Sequence, residues 1–332
     1  MGKEIVLAAD LGGTNLRMAA IDRQGEILYR ARRETPRGER VDEIVGAIVE
    51  SANECRENCV GFDQVKVICA AIPGIVNVNE GLIITAPNLP ALNDFKMVAA
   101  LENKLGIKAI LENDANAAAV GENWRGASKG FADSILVTLG TGVGGGIIID
   151  GKVLRGTSGM AGEIGHICVE SFGAPCRCGS RGCVEQYSSA SAIVRIAKEL
   201  ETQYPESTLK NVAQLEASEV FQAGINGDKL ALEVFRQMGF YLGVSLSSLI
   251  NVLNPEVIVI GGGASAGWEL FMPQMLETVR QKAFGSLSKR AKIVRGELGD
   301  DAGILGAARL AFDSLAKPDF LRSAAINEFE SV

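Results

Sequence analysis

Asp10-Leu11-Gly12-Gly13-Thr14-Asn15-Leu16-Arg17 joins two apolar runs, residues 5–10 and 16–22, and Arg23-Gln24-Gly25 then turns the chain into 26–30. Apolar runs of strand length separated by glycine turns read as the opening of a β-meander. A second meander starts at 134–139 and passes through Leu139-Gly140-Thr141-Gly142-Val143-Gly144-Gly145-Gly146 into 146–150 and Gly151-Lys152-Val153-Leu154. The order of elements therefore repeats, with one glycine hairpin near residue 12 and another near residue 142. Two similar α/β halves with a cleft between them follow from that repeat.

The segments between the hairpins fit this plan. Helical periodicity covers 41–58, and a continuous apolar strand over 65–72 ends at Pro73-Gly74. A helix is expected over 95–105, a short strand over 109–111 and an Ala-rich helix over 114–124. After residue 189 the chain reads as mainly helical to about 253. A buried strand at 257–260 runs into Gly261-Gly262-Gly263, and a final helix covers 302–315. The expected division is a small α/β domain, 1–112, completed by the helix 302–315, and a large α/β domain, 113–301. The tail from Lys317 carries little signal and reads as peripheral.

Composition narrows the function classes. A 332-residue chain with 47% hydrophobic and 22% charged residues can bury a sizeable core. Its net charge of −7 argues against general affinity for nucleic acid. No uninterrupted apolar run approaches the ~20 residues of a membrane helix, and the stretch after Met1 is too short for a signal peptide. The expectation is a soluble, cytoplasmic protein. The seven cysteines do not form a disulfide-framework pattern. Cys55, Cys59, Cys69 and Cys168 read as small buried or half-buried hydrophobes in a reducing compartment.

Four motifs carry chemistry. Glycines in the first hairpin let backbone N–H groups approach phosphate oxygens, Thr14 adds a hydroxyl, and Asp10 at the strand end can hold Mg²⁺ through water. A plain glycine hairpin with a turn aspartate is the competing reading. The second hairpin formally matches a dinucleotide fingerprint at Gly140, Gly142 and Gly145. It leads into a strand instead of a helix, so a second phosphate-contacting hairpin fits better. In Glu112-Asn113-Asp114-Ala115-Asn116-Ala117-Ala118 an acid and two amides sit where a strand meets a helix. Asp114 is either the N-cap of that helix or a general base, with Asn113 binding a substrate hydroxyl.

The fourth motif holds the single histidine. His166 precedes Cys176-Arg177-Cys178-Gly179-Ser180-Arg181-Gly182-Cys183, and one His with three Cys is the donor set of a closed, structural zinc site. A metal-bound imidazole keeps its other nitrogen for a hydrogen bond, with Glu163 and Glu185 at hand as acceptors. With one histidine, engaged in this way, a Ser-His-Asp triad has no base.

Together these segments resemble the ROK family (repressors, open reading frames and kinases), and within it the bacterial glucokinases. The resemblance covers nearly the whole chain. It also includes Ala86-Pro87-Asn88-Leu89, Gly162-Glu163-Ile164-Gly165-His166 and Asp301-Ala302-Gly303-Ile304-Leu305-Gly306-Ala307-Ala308. It implies an actin-like, ribonuclease-H-like two-domain sugar kinase fold with a structural zinc site in segment 163–185. Asp114 then matches the base that takes the proton of the sugar 6-hydroxyl. Gly74, Asn88, Asn113, Glu163, His166 and Glu185 match sugar contacts. Asp10, Gly12, Gly13, Thr14 and Asn15 match the first phosphate motif, Gly140, Thr141 and Gly142 the second, and Gly261, Gly262 and Gly263 the adenosine region. His166, Cys176, Cys178 and Cys183 match the zinc ligands.

The implied reaction is transfer of the γ-phosphoryl group from MgATP to glucose O6, with domain closure excluding water, in a homodimer. One departure concerns the substrate. Where relatives often carry an aromatic after Asn88-Leu89, this chain has Pro90-Ala91-Leu92-Asn93, which leaves mannose or an N-acetylhexosamine as the alternative sugar, or a broad-specificity hexose kinase as the alternative enzyme. The family's repressors carry an N-terminal DNA-binding domain, and here the phosphate strand begins at Ile5, so a sugar-sensing regulator is the less expected reading. A non-enzymatic nucleotide-binding protein of the actin-like fold would have no purpose for Asp114, Glu163 and Glu185.

Overall fold

The computed structural model describes residues 4–36, 40–59 and 65–316. The tail expected to be peripheral, from 317 on, lies outside the described residues. Strands β1 (Ile5–Leu11), β2 (Asn15–Asp22) and β3 (Ile27–Glu34) form the first meander. They are followed by α1 (Val41–Asn58), β4 (Val67–Ile72), a small hairpin of β5 (Ile75–Asn77) and β6 (Leu82–Thr85), α2 (Met97–Leu105), β7 (Lys108–Asn113) and α3 (Asp114–Arg125). The second meander is β8 (Ser134–Leu139), β9 (Val143–Ile149) and β10 (Lys152–Val153). After it come α4 (Glu185–Ser188), α5 (Ala190–Leu200), α6 (Ala217–Ile225), α7 (Lys229–Leu253), β11 (Val257–Gly261), α8 (Trp268–Lys282), α9 (Gly285–Ser288), β12 (Lys292–Arg295) and α10 (Ala302–Ala316).

The repeat seen in the sequence is a repeat of topology. One sheet has the order β3-β2-β1-β4-β7 and the other β10-β9-β8-β11-β12. In the first, β1–β2 and β2–β3 are antiparallel, and β1–β4 and β4–β7 are parallel. In the second, β8–β9 is antiparallel, and β8–β11 and β11–β12 are parallel. A central strand covered on both faces is apolar throughout, and six of the seven residues of β1 are buried. Its alternate residues Ile5, Leu7, Ala9 and Leu11 join Ile44, Ile48 and Leu101 of α1 and α2 in one core. The opposite face, with Val6, Ala8 and Asp10, meets α10.

Of the described residues, 4–36, 40–59, 65–129, 153–161 and 300–316 contribute to one compact unit, and Gly130–Lys152 with Gly162–Gly299 to the other. The expected division at residue 112 is therefore corrected. Helix α3 belongs to the first unit because it packs directly on α10, as does the final helix itself. The backbones approach so closely that a methyl on Gly306 would overlap Ala117 O, and one on Gly121 would overlap Ala302 O. Residues 153–161 join the first unit through a buried ion pair described below.

The second unit has its own core, built from Ile135 and Val137 of β8, Ile258 and Ile260 of β11, and Leu242, Phe271 and Met275 of α7 and α8. Its long helix α7 starts at an Asp228 cap whose carboxylate accepts from Leu230 N–H (3.0 Å) and Ala231 N–H (3.1 Å). The α3–α10 packing makes a stability prediction. Gly306→Ala should lower the stability of the first unit by about 2 kcal/mol or more, since the methyl meets backbone and not a movable side chain. Urea unfolding followed by circular dichroism checks it, and an unchanged midpoint would contradict it.

Candidate functional site

In the first unit the β1–β2 hairpin is a tight turn, closed by Gly12 N–H on Asn15 O at 2.8 Å. Buried Thr35 braces it, its N–H on Thr14 O (2.9 Å) and its hydroxyl on Gly12 O (2.7 Å). Thr14 is exposed at the tip. The oxygen of Asn15 is engaged by Arg32, Nε at 3.2 Å and Nη2 at 3.1 Å, so the amide nitrogen is what Asn15 offers a ligand. Asp10 ends β1 against α10, where Gly303 leaves it room. Arg17, its partner in strand register, donates Nη1 to Asp10 Oδ2 (3.2 Å) and Nη2 to Asp300 Oδ2 (2.8 Å). Burial pushes the Asp10 carboxyl up, and Arg17 offsets part of that shift. A buried carboxylate of this kind gains from a nearby cation, so Asp10 fits the expected Mg²⁺ role.

The loop 85–93 lies beside that hairpin, for a methyl on Gly13 would sit 3.4 Å from Asn88 Cβ. Asn93 Oδ1 pins the loop by accepting Ala86 N–H at 2.8 Å, and Pro90-Ala91-Leu92 forms a single 3₁₀ turn with proline at its first position. Gly74 adopts φ +129°, and a methyl there would overlap Thr85 O. Only glycine suits that backbone. Asn113 Nδ2 donates to Gly74 O at 2.9 Å, which draws Gly74 and Asn113 together with this loop.

Asp114 is not the N-cap of α3, because its neighbour takes that place. Asn113 is the N-cap of α3, its Oδ1 accepting Ala115 N–H at 2.9 Å and Asn116 N–H at 3.0 Å. Asp114 is instead the first helical residue, half-buried at the positive end of the helix, with Oδ1 2.9 Å from Ala115 N. The capping oxygen of Asn113 is committed and one Nδ2 hydrogen goes to Gly74 O, which leaves the second Nδ2 hydrogen for a ligand. Behind them Glu112 is 1% exposed and collects Asn113 N–H and Asn116 Nδ2 (each 3.1 Å) on Oε1. Its Oε2 takes both Nε (3.0 Å) and Nη2 (2.6 Å) of Arg155. This ion pair fixes 153–161 to the strand–helix junction.

In the second unit the β8–β9 hairpin closes with Gly140 N–H on Gly142 O at 2.9 Å, and a strand, not a helix, follows the glycines. Thr141 is exposed at its tip. Gly262, at φ +83°, packs its backbone on the end of β8, where a methyl would overlap Leu139 O. Gly261, Gly262 and Gly263 thus lie next to the hairpin. A 3₁₀ turn, Ile164–His166, sits on β9, with Gly165 against Val143 O. Glu163 and His166 flank it, Oε2 and Nε2 being 3.9 Å apart.

The opposite nitrogen, Nδ1, lies 3.7 Å from Cys176 Sγ, and Cys178 Sγ lies 3.6 Å from Cys183 Sγ. All four donor atoms fall within 4.8 Å of one another. Donors at zinc bond lengths in a tetrahedron stand roughly 3.6–3.8 Å apart, so the donor set and spacing fit zinc. A Ser180 N–H holds the Cys178 thiol below the usual range, and burial pushes Cys183 up to about 12. No disulfide occurs among the described cysteines.

The sequence profile of the ROK family matches residues 6–314. The chain belongs to the ROK family. A protein named glucokinase from Halalkalibacterium halodurans is 38% identical over 315 residues, 92% of this chain and 94% of that one. The crystal structure of a ROK family glucokinase from Streptomyces griseus, in complex with glucose and AMPPNP, superposes with a TM-score of 0.80 at 34% identity, covering 93% of this chain and 99% of that one. A putative xylose repressor from a Caldicellulosiruptor species is 28% identical over 96% of this chain, which spans 80% of that protein.

The α/β sugar-kinase fold implied by the family resemblance is thus the fold of this ROK chain. Several residues that shape the site carry no motif signal. Arg155 stands alone in a polar loop, 43 residues from its partner Glu112. Thr35 and Arg17 act through neighbouring strands and are legible only once the β1–β2–β3 register is known. The capping role of Asn113 was open to reading, since asparagine ahead of an Ala-rich helix is a favoured cap.

Proposed function

We propose that this ROK protein is an ATP-dependent glucokinase, forming glucose 6-phosphate and ADP. The observation that carries the reading is Asp114, released from capping by Asn113 and placed with Gly74 and the Asn88 loop in the same unit as the Asp10–Asn15 hairpin. The family membership and the glucose- and AMPPNP-bound relative support it.

In this reading Asp114 takes the proton of the sugar 6-hydroxyl as its oxygen attacks the γ-phosphorus in line. Gly74, Asn88, Asn113, Glu163, His166 and Glu185 hold the remaining hydroxyls and orient O6. Gly12, Gly13, Thr14 and Asn15, with Gly140, Thr141 and Gly142, contact the phosphates, and Gly261, Gly262 and Gly263 receive the adenosine. Asp10 would hold Mg²⁺ through water, and the ion neutralises phosphate charge when bound. His166, Cys176, Cys178 and Cys183 would hold a structural zinc. Coordination through His166 Nδ1 leaves Nε2–H, beside Glu163, to donate to a sugar hydroxyl.

An N-acetylhexosamine is the second reading of the sugar, favoured by the loop 85–93. Its 3₁₀ turn of Pro90, Ala91 and Leu92 carries no aromatic side chain, and Leu92 is buried in the core.

Two measurements test the proposal. Steady-state ADP release with MgATP should be strongest with glucose among glucose, mannose, fructose, N-acetylglucosamine and N-acetylmannosamine, and Asp114→Asn should lower it by roughly 10²–10⁴. Turnover favouring an acetamido sugar moves the substrate, and no sugar-dependent turnover at all contradicts the kinase reading. Plasma emission spectrometry should find one zinc per chain, lost in Cys176→Ser with a raised KM for sugar. A metal-free wild type with full activity would contradict the zinc assignment.

A further inference from the structure

The carboxylate of Glu185 is claimed from two sides. On the kinase reading it accepts a sugar hydroxyl, and in the structure its Oε2 accepts Val143 N–H at 3.0 Å. Val143 opens β9 directly after Gly140-Thr141-Gly142. Gly142 lacks a side chain where this carboxylate lies, since a methyl there would overlap Oε2. The glycine therefore makes room for Glu185 as well as for a phosphate.

The same stretch grips the hairpin again a few residues later. Ala190 N–H donates to Gly140 O at 2.8 Å, and Ser191 Oγ donates to Thr141 O at 2.9 Å. Cys183, part of the four-donor cluster, precedes Glu185 by two residues. Residues 183–191 thus connect the cluster, the sugar carboxylate and the phosphate hairpin inside the second unit.

These contacts act in opposite directions. Ala190 and Ser191 engage only carbonyl oxygens of the hairpin and none of its N–H groups. Glu185 occupies an N–H and sets a negative charge at the turn that a triphosphate must approach, and like charges at such range repel. We infer that Glu185 couples the two substrates: without sugar its carboxylate sits on the Val143 amide and opposes the nucleotide, and a sugar hydroxyl that draws the carboxylate away frees that amide and strengthens nucleotide binding. The inference rests on the kinase reading. Linkage makes the effect reciprocal, so bound nucleotide strengthens sugar binding by the same factor. ATP alone is then held weakly, which limits its loss to water.

Isothermal titration of the full chain with MgAMPPNP, with and without glucose, tests this. Glucose should tighten nucleotide binding to the wild type. Glu185→Gln keeps an acceptor for Val143 N–H and removes the charge, so its sugar-free affinity should rise roughly three- to tenfold and the glucose effect should shrink. Glu277→Gln, at an exposed position on α8, removes the same charge from the same unit and should match the wild type. In the wild type, glucose alone should shift the ¹⁵N–¹H resonance of Val143, a reading that does not depend on any variant folding. A sugar-free affinity of Glu185→Gln equal to that of the wild type, an equal gain in Glu277→Gln, or an unmoved Val143 resonance in glucose-bound protein each overturns the inference while the kinase reading stands. A wild type that binds neither MgAMPPNP nor glucose overturns both.

Discussion

Backbone contact between α10 and α3 is the constraint on which the first unit depends. Helix α10 comes from 302–316, yet it packs on β1 and β4, laid down within the first 72 residues. The separation is set by Gly121 and Gly306, where any side chain would meet a carbonyl of the opposing helix. Gly303 extends the same small-residue face to Asp10 and lets α10 cover that carboxylate. The helix that completes the core thus also fixes the two acids of the proposed site, Asp10 by direct cover and Asp114 through α3.

The second unit reuses the topology with different reinforcement. Its hairpin lies between β8 and β9, as the first lies between β1 and β2. The first is braced by Thr35 and Arg17 from the meander itself. The second is braced by residues 185–191, which follow the His166–Cys183 cluster. A short irregular segment with little apolar burial cannot hold side chains to fractions of an ångström unaided. On the proposed reading, a tetrahedral metal held by His166, Cys176, Cys178 and Cys183 would supply that rigidity to Glu163, His166 and Glu185.

Strands and helices with a strong period were legible in the sequence. Strand β1, helix α1 and strand β8 appear where expected, because a twice-covered strand is uniformly apolar and α1 buries Ile44, Ile48 and Cys55 on one stripe. Helix α8 was not, since Pro273 and its mixed polar sequence blur the stripe, nor was β12, only four residues long. The domain boundary was misplaced for a related reason. Ala115, Ala117 and Ala118 look like helix propensity alone, and only the partner α10, almost two hundred residues on, shows that with Gly121 they mark close packing. The motif residues were legible as a set. Arg155, Thr35 and the bond from Val143 N–H to Glu185 were not, because each depends on a partner that folding brings from elsewhere in the chain.

The central claim is that this chain moves a phosphoryl group onto a sugar oxygen. ³¹P NMR of the protein with MgATP and glucose tests it most directly, because the resonance reports the bond formed. The account predicts ADP signals with a new phosphomonoester coupled to the two C6 protons of glucose. Inorganic phosphate as the only new signal, or unchanged ATP, would contradict it.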